Sequence, residues 1–174
     1  MDHKETFAVW ITGLPASGKS TVTAALKAKL AARGVDAAVL ESDELRKILT
    51  IRPRYDEEER DRFYAQMAWI GELLVLHGVP VIFDATANRR VYRDRVRQKI
   101  PHFIEVFVDV PLETCIARDP KGIYRSARAG GSATVPGLQA EYEPPEAPEV
   151  VVHGDPPEVA AQLIVATLAE NGYL

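Results

Sequence analysis

The sequence holds one cysteine, Cys115, among 174 residues. A disulfide within the chain is excluded, and the fold needs no oxidising compartment. A lone thiol with no supporting motif is expected to be a buried helix residue. Positive charge is not in excess: 21 Lys and Arg face 25 Asp and Glu, a net charge of −4. That balance argues against nucleic acid as a general partner but leaves room for a local basic pocket. The four histidines show no metal-ligand spacing, and His77, near a helix end, is expected to be structural. No run approaches the ~20 apolar residues of a membrane span, so no membrane partner is expected. The opening Met1-Asp2-His3-Lys4-Glu5 is charged and leads into no signal-peptide core, so the expected location is the cytoplasm. What is present is ordinary: 47% hydrophobic and 26% charged residues, enough for a core without staples at this length.

Short apolar, β-branched runs alternate with helical periodicity. Strands are expected at Phe7–Ile11, Ala37–Leu40, Val79–Phe83, Phe103–Val108 and Val150–Val152. Helices are expected over 19–32, from Ser42 or Asp43 to Leu49 with Pro53 as the breaker, from Asp56 to His77, over 89–99, from Leu112 to Arg118 and from Pro156 to Glu170. Gly122–Pro148, rich in Gly, Pro, Ser and Arg, reads as a mobile loop. A loop of that length in a compact domain is usually functional, often a lid. Alternation of this kind predicts an α/β fold in three layers, a five-stranded parallel sheet with helices on both faces. One domain over 1–174 is expected, with a lid at about 119–148.

Gly13-Leu14-Pro15-Ala16-Ser17-Gly18-Lys19-Ser20 fits G-x-x-x-x-G-K-[ST] at every fixed position, between a buried strand and a helix. It predicts a P-loop NTPase fold and an ATP site at Gly13, Ala16, Ser17, Gly18, Lys19, Ser20 and Thr21. The backbone N–H groups and the helix N-terminus cradle phosphate. Lys19 reaches the β- and γ-phosphates, and the Ser20 hydroxyl ligates Mg²⁺. Ligands in such sheets bind beyond the C-terminal strand ends, where Asp43 and Asp84 both stand. A hydroxyl acceptor also needs a carboxylate base there. Asp43 is the preferred base and Asp84 the preferred metal-side residue; the reverse assignment and a shared water-mediated Mg²⁺ shell stay open.

Positive charge near the transferred phosphoryl group is expected from Arg118, Lys121, Arg125 and Arg128 at the start of the lid. Arg46 shares a helix face with Asp43 and is a candidate grip for an anionic acceptor. In the run Arg89, Arg90, Arg93, Arg95, Arg97, Lys99, the N-terminal end, Arg89, is a candidate substrate contact, and the rest reads as a solvated helix face. Asp56-Glu57-Glu58-Glu59 reads as a first helical turn, where carboxylates suit the dipole.

The chain resembles the adenylylsulfate kinases. Thr12 to Thr21 is similar to that family's phosphate loop. Phe107 to Glu113 and Ala117 to Tyr124 are similar to its late strand and lid, and Tyr142 to Glu149 to its lid end. The resemblance implies transfer of the γ-phosphate of ATP, with Mg²⁺, to the 3′-hydroxyl of adenosine 5′-phosphosulfate (APS), giving PAPS. It also implies that Asp43 and Arg46 match the family's acidic and basic residues after the second strand, that Lys121 matches its lid, and that the protein is a homodimer. The candidate catalytic residues are thus Lys19, Asp43, Asp84, Arg118 and Lys121, and the candidate acceptor contacts Asp43, Arg46, Phe63, Arg89 and Lys121. Three departures concern the acceptor side. Glu41-Ser42-Asp43 replaces Asp-Gly-Asp. A substrate-binding Asn and Arg fall at Phe63 and Ala65. A serine falls at Ala87, within Asp84-Ala85-Thr86-Ala87-Asn88, a strand end similar to those of a wider set of small-molecule and polynucleotide P-loop kinases. Two alternatives follow: a kinase of the same fold for a nucleoside, sugar or antibiotic hydroxyl, and a non-catalytic nucleotide-binding regulator.

Overall fold

The computed structural model describes residues 6–131 and 134–174; the charged first five residues lie outside them. Five parallel strands form one sheet: β1 (Ala8–Thr12), β2 (Ala38–Glu41), β3 (Val81–Asp84), β4 (Phe103–Val108) and β5 (Val150–Val152), in the order β2-β3-β1-β4-β5. The helices of the described residues are α1 (Lys19–Ala31), α2 (Ser42–Leu49), α3 (Glu57–Leu76), α4 (Arg90–Arg97), α5 (Leu112–Arg118), α6 (Ile123–Arg128) and α7 (Pro157–Glu170). None is long and apolar enough to cross a membrane.

The apolar run Ala8–Ile11 of the central strand follows from burial on both faces. Val9 and Ile11 join Val22, Leu26 and Leu30 of α1 and Ile164 and Leu168 of α7 in one core. Ala8 and Trp10 join Phe63, Tyr64 and Met67 of α3, and Tyr92 and Val96 of α4, in the other. Trp10 stacks on Phe83 with ring centroids 4.6 Å apart. Phe83 in turn runs under Gly71, where an added Cβ would meet its Cζ at 2.1 Å, so only glycine lets α3 lie this close to the sheet. The strand order reverses at β1, which places the crevice of the fold beyond the C-terminal ends of β1, β2 and β3.

Two sequence expectations need correction. The segment after Gly122 is not wholly a loop: it includes α6, one side of which buries Tyr124 and Ala127. Six residues with no side-chain cap leave too little periodicity to read. The basic helix α4 is not mainly solvated either. Arg93 is 1% exposed, Arg95 pairs with Asp61 at 2.8 Å, and Lys99, just beyond the helix, pairs with Glu72 at 2.7 Å. Alternating charge thus fastens α4 to α3. Cys115 and His77 sit as expected, the first buried in α5 and the second capping α3 with its Nδ1 2.8 Å from the Leu73 carbonyl.

Candidate active site

The turn after β1 is built by its glycines and by one strained alanine. A Cβ at Gly13 would stand 2.6 Å from the Val108 carbonyl oxygen, so this position admits no side chain. Gly18 and Ala16 take left-handed backbone, with φ of 102° and 62°; a non-glycine residue held there marks a loop shaped for function. The Lys19 Nζ folds over the turn and donates to the carbonyls of Gly13 and Leu14 at 3.2 and 3.0 Å. Thr21 caps back on Gly18 at 2.7 Å. Ser17 is buried, and Ser20 and Thr21 are exposed at the start of α1.

Parallel register brings the carboxylates to this edge. Asp84 is the register partner of Glu41 on one side and of Ile11 on the other. Asp84 is 4% exposed, and burial raises its pKa above the usual aspartate value, with Lys19 and the Ser20 hydroxyl acting against the rise. Burial also lowers the pKa of Lys19, against the attraction of Asp84 and Asp43. The pKa of Glu41 is raised, first by burial and then by Asp43. The sequence singled out Glu41 only as a departure; strand register makes it the third carboxylate of this edge. Asp43, in the first turn of α2, meets Lys121 of the lid at 2.6 Å, and that contact raises the lysine's pKa. Pro15, Lys19, Asp43, Asp84 and Lys121 enclose a space of about 140 Å³. Arg118 reaches toward the Ser17 carbonyl at 3.5 Å. With Arg125 and Arg128 it lines a separate groove of about 260 Å³ beside the phosphate loop.

A larger cavity of about 340 Å³ opens from this junction, sharing Asp43, Thr86 and Lys121 with it. Two buried arginines line it, Arg46 and Arg60. Arg46 is sandwiched: its guanidinium carbon lies 3.9 Å from the Phe63 ring centroid and 4.9 Å from that of Tyr55, and Glu59 pairs with it. Arg60 donates to the Thr134 carbonyl and to no carboxylate among the described residues; burial lowers its pKa. Sequence reading missed Arg60 because it sits in a dense charge run. Its signal was spacing: residue 60 falls on the same helical face as Phe63, Tyr64 and Met67, and a charge on an apolar stripe has a reason to be there.

Two candidate acceptor contacts sit elsewhere. Phe63 is 1% exposed and lines none of the cavity; it bears on a ligand only by supporting Arg46. Arg89 pairs with Glu57 and lines an adjoining cavity of about 320 Å³, not the one that holds Asp43 and Arg46. The arrangement as a whole offers a phosphate cradle, carboxylates at a common edge, a lid lysine, and a cavity lined by two buried arginines opening from them.

A family model for adenylylsulphate kinase matches residues 5–153. The adenylyl-sulfate kinase of Microcystis aeruginosa is 42% identical over 168 residues, covering 95% of this chain and 93% of the relative. That of Synechococcus sp. (strain JA-3-3Ab) is 40% identical over 168 residues, covering 95% and 96%. The APS kinase of Mycobacterium tuberculosis, solved with AMPPNP and APS, superposes with a TM-score of 0.89 at 32% identity, over 95% of this chain and 98% of that one. The P-loop, the lid and the full run of strands therefore sit in a chain that belongs to the adenylylsulphate kinase family.

Proposed function

We propose that this protein transfers the γ-phosphate of ATP to the 3′-hydroxyl of adenosine 5′-phosphosulfate, forming PAPS and ADP. One observation carries the acceptor: the cavity that opens from Asp43 is lined by two buried arginines. A buried guanidinium without a matched carboxylate, as at Arg60, favours an anionic ligand, which a neutral sugar or nucleoside does not supply. The phosphosulfate of APS fits this requirement, and relatives at 40% and 42% identity carry the name of that activity.

Asp43 accepts the proton as the acceptor O–H bond breaks. The acceptor oxygen forms the new bond to the γ-phosphorus, and the electrons of the broken β–γ bridge leave with ADP. Lys19 stays on the β- and γ-phosphates, and Lys121 trades Asp43 for the developing negative charge. Mg²⁺ belongs to the same proposal. The donors at the edge are hard oxygens, the Ser20 hydroxyl and the Asp84 carboxylate, of the type that holds Mg²⁺ with nucleotide phosphates. Ser20 and Asp84 would hold the ion, which would supply charge neutralisation for the phosphates. One chain over 1–174 would fold as the catalytic domain, pair as a homodimer and work in the cytoplasm, where ATP is supplied.

The test is ADP release from Mg-ATP with and without micromolar APS. Strong stimulation, with PAPS identified by mass, is the expected result. ATP turnover on another alcohol and not on APS would move the acceptor to a nucleoside, sugar or antibiotic. Tight ATP binding without turnover on any alcohol would leave a regulator.

The pH profile follows from burial. Lys19 must be protonated and Asp84 ionised in the competent free enzyme. Desolvation raises the pKa of Asp84 and lowers that of Lys19. The acid limb of kcat/KM for ATP is therefore expected at higher pH than an ordinary aspartate gives. The alkaline limb is expected at lower pH than an ordinary lysine gives. Limbs at the ordinary positions would show a hydrated site.

A further inference from the structure

The acceptor wall between β3 and α4 is an irregular strip, residues 85–89, that presents Thr86 and Asn88 to the cavity. Its middle residue, Ala87, sits at φ 42°, a conformation that alanine does not hold unaided. Beyond Ala85, whose N–H donates to the Ile11 carbonyl of β1 at 3.3 Å, no strand backbone bonds the strip among the described residues. Side chains do so instead: Trp10 Nε1 donates to the Ala85 carbonyl at 3.1 Å, and the Thr12 hydroxyl donates to the Thr86 carbonyl at 2.7 Å. Ala87 N–H donates to the Tyr64 hydroxyl at 3.1 Å.

The same strip carries the far end of the lid. Glu143 N–H donates to the Asn88 carbonyl at 2.7 Å, Asn88 Nδ2 donates to the Glu141 carbonyl at 2.9 Å, and Arg90 N–H donates to a Glu143 carboxylate oxygen at 2.7 Å. A buried guanidinium also joins the two segments. Arg93 donates from Nε to Glu105 at 2.6 Å, from Nη1 to the Ala87 carbonyl, and from Nη2 to the Glu143 carbonyl at 2.7 Å.

Arg93 is 1% exposed and Glu105 5%. A buried ion pair is a poor source of stability, since a well-packed apolar pair often does as well. A guanidinium fork does what no apolar side chain can: it fixes two carbonyls from distant segments at once.

We infer that Arg93, held by Glu105, is a positioning residue that locks the acceptor wall at Ala87 to the return limb of the lid at Glu143, and so sets acceptor affinity without touching ATP binding. The proposal rests on the phosphotransfer reading above. Arg93 lines none of the cavities described, so its effect passes through Thr86, Asn88 and the lid. It also accounts for two sequence segments that the phosphate loop leaves unexplained, Asp84–Asn88 and Tyr142–Pro148: each is the other's binding partner.

The test compares wild type with Arg93→Met/Glu105→Leu, in which no uncompensated charge stays buried and Arg97 keeps its contact with Glu149 at 2.6 Å. Acceptor KM is expected to rise about 10- to 100-fold, the usual cost of loosening groups that orient a site. ATP KM should stay within about twofold of wild type. Arg93→Lys, which keeps the pair with Glu105 but loses the fork, should give an intermediate rise and stands in should the double variant fail to fold. Hydrogen exchange gives a readout free of substrate: the amides of Ala87 and Glu143 should lose protection together in either variant, while those of the phosphate loop keep theirs. Unchanged acceptor KM in a folded variant, equal rises for both substrates, or undisturbed exchange at Ala87 and Glu143 would each overturn the assignment. Were wild type inactive on APS, the acceptor would be wrong. The exchange experiment, and the same KM comparison with the alcohol that does react, would then still decide the role of Arg93.

Discussion

Replacing Lys19 by methionine is expected to lower kcat by about 10³-fold or more, because a preorganised donor at the transferring group is commonly worth about 10²–10³ and this one also carries full charge. In the resting enzyme Lys19 spends its protons on the carbonyls of Gly13 and Leu14. ATP binding asks it to turn to the β- and γ-oxygens while the loop keeps its curve. The same substitution is expected to raise, not lower, the unfolding temperature of the ligand-free protein at neutral pH. The reason is the lowered pKa of Lys19, whose first cause is burial. The folded state holds this proton less tightly than the unfolded chain does, so the charged lysine opposes folding below its folded pKa. That opposition fades as pH rises toward the ordinary lysine value. The gain in the variant should therefore shrink with rising pH. Steady-state kinetics and thermal melts at several pH values read both effects. Wild-type turnover would remove Lys19 from the chemistry, and a fall in melting temperature would show that it braces the loop more than its burial strains it.

The same physics explains what the sequence showed and what it hid. β1 was legible because a strand buried on both faces must be apolar throughout, and the phosphate loop because its residues are consecutive. β4 and β5 begin and end where the periodicity put them. Arg46 was legible through its spacing from Asp43. Arg60 was not, because a run such as Glu57-Glu58-Glu59-Arg60-Asp61-Arg62 reads as solvent-facing until the helix is known to turn residue 60 inward. The place of Phe63 was hidden for a related reason: it is buried and lies outside the cavity lining. It falls where the resembled family binds substrate, and here its aromatic ring packs against the Arg46 guanidinium. The lid's attachment was least visible of all. Its bonds join residues about fifty apart along the chain, such as Asn88 to Glu141 and Arg93 to Glu143, and no local pattern encodes such a pairing.

Asp43→Asn is expected to cut kcat by about 10²–10³-fold while the KM for ATP changes little. General-base catalysis is commonly worth about 10²–10⁴. Phosphoryl transfer through a loose transition state asks little of the nucleophile, which favours the lower part of that range. Geometry separates Asp43 from its rival. Asp43 lines both the junction with Lys19 and the acceptor cavity, whereas Asp84 lines only the junction. An acceptor hydroxyl arriving from the Arg46 side therefore meets Asp43 first. Asparagine keeps the size and the polarity but cannot take the proton. It also loosens Lys121, which the Asp43 charge holds at 2.6 Å. A looser hold leaves the lid lysine freer for phosphate, so any effect through Lys121 should help turnover rather than hinder it. A large fall in kcat with ATP KM unchanged can then only come from the lost base. Turnover near wild type would pass the role to Asp84. In that event Asp84→Asn should show the fall in kcat with its Mg²⁺ requirement unaltered, where a metal-side Asp84 would instead demand more Mg²⁺ for half-maximal rate.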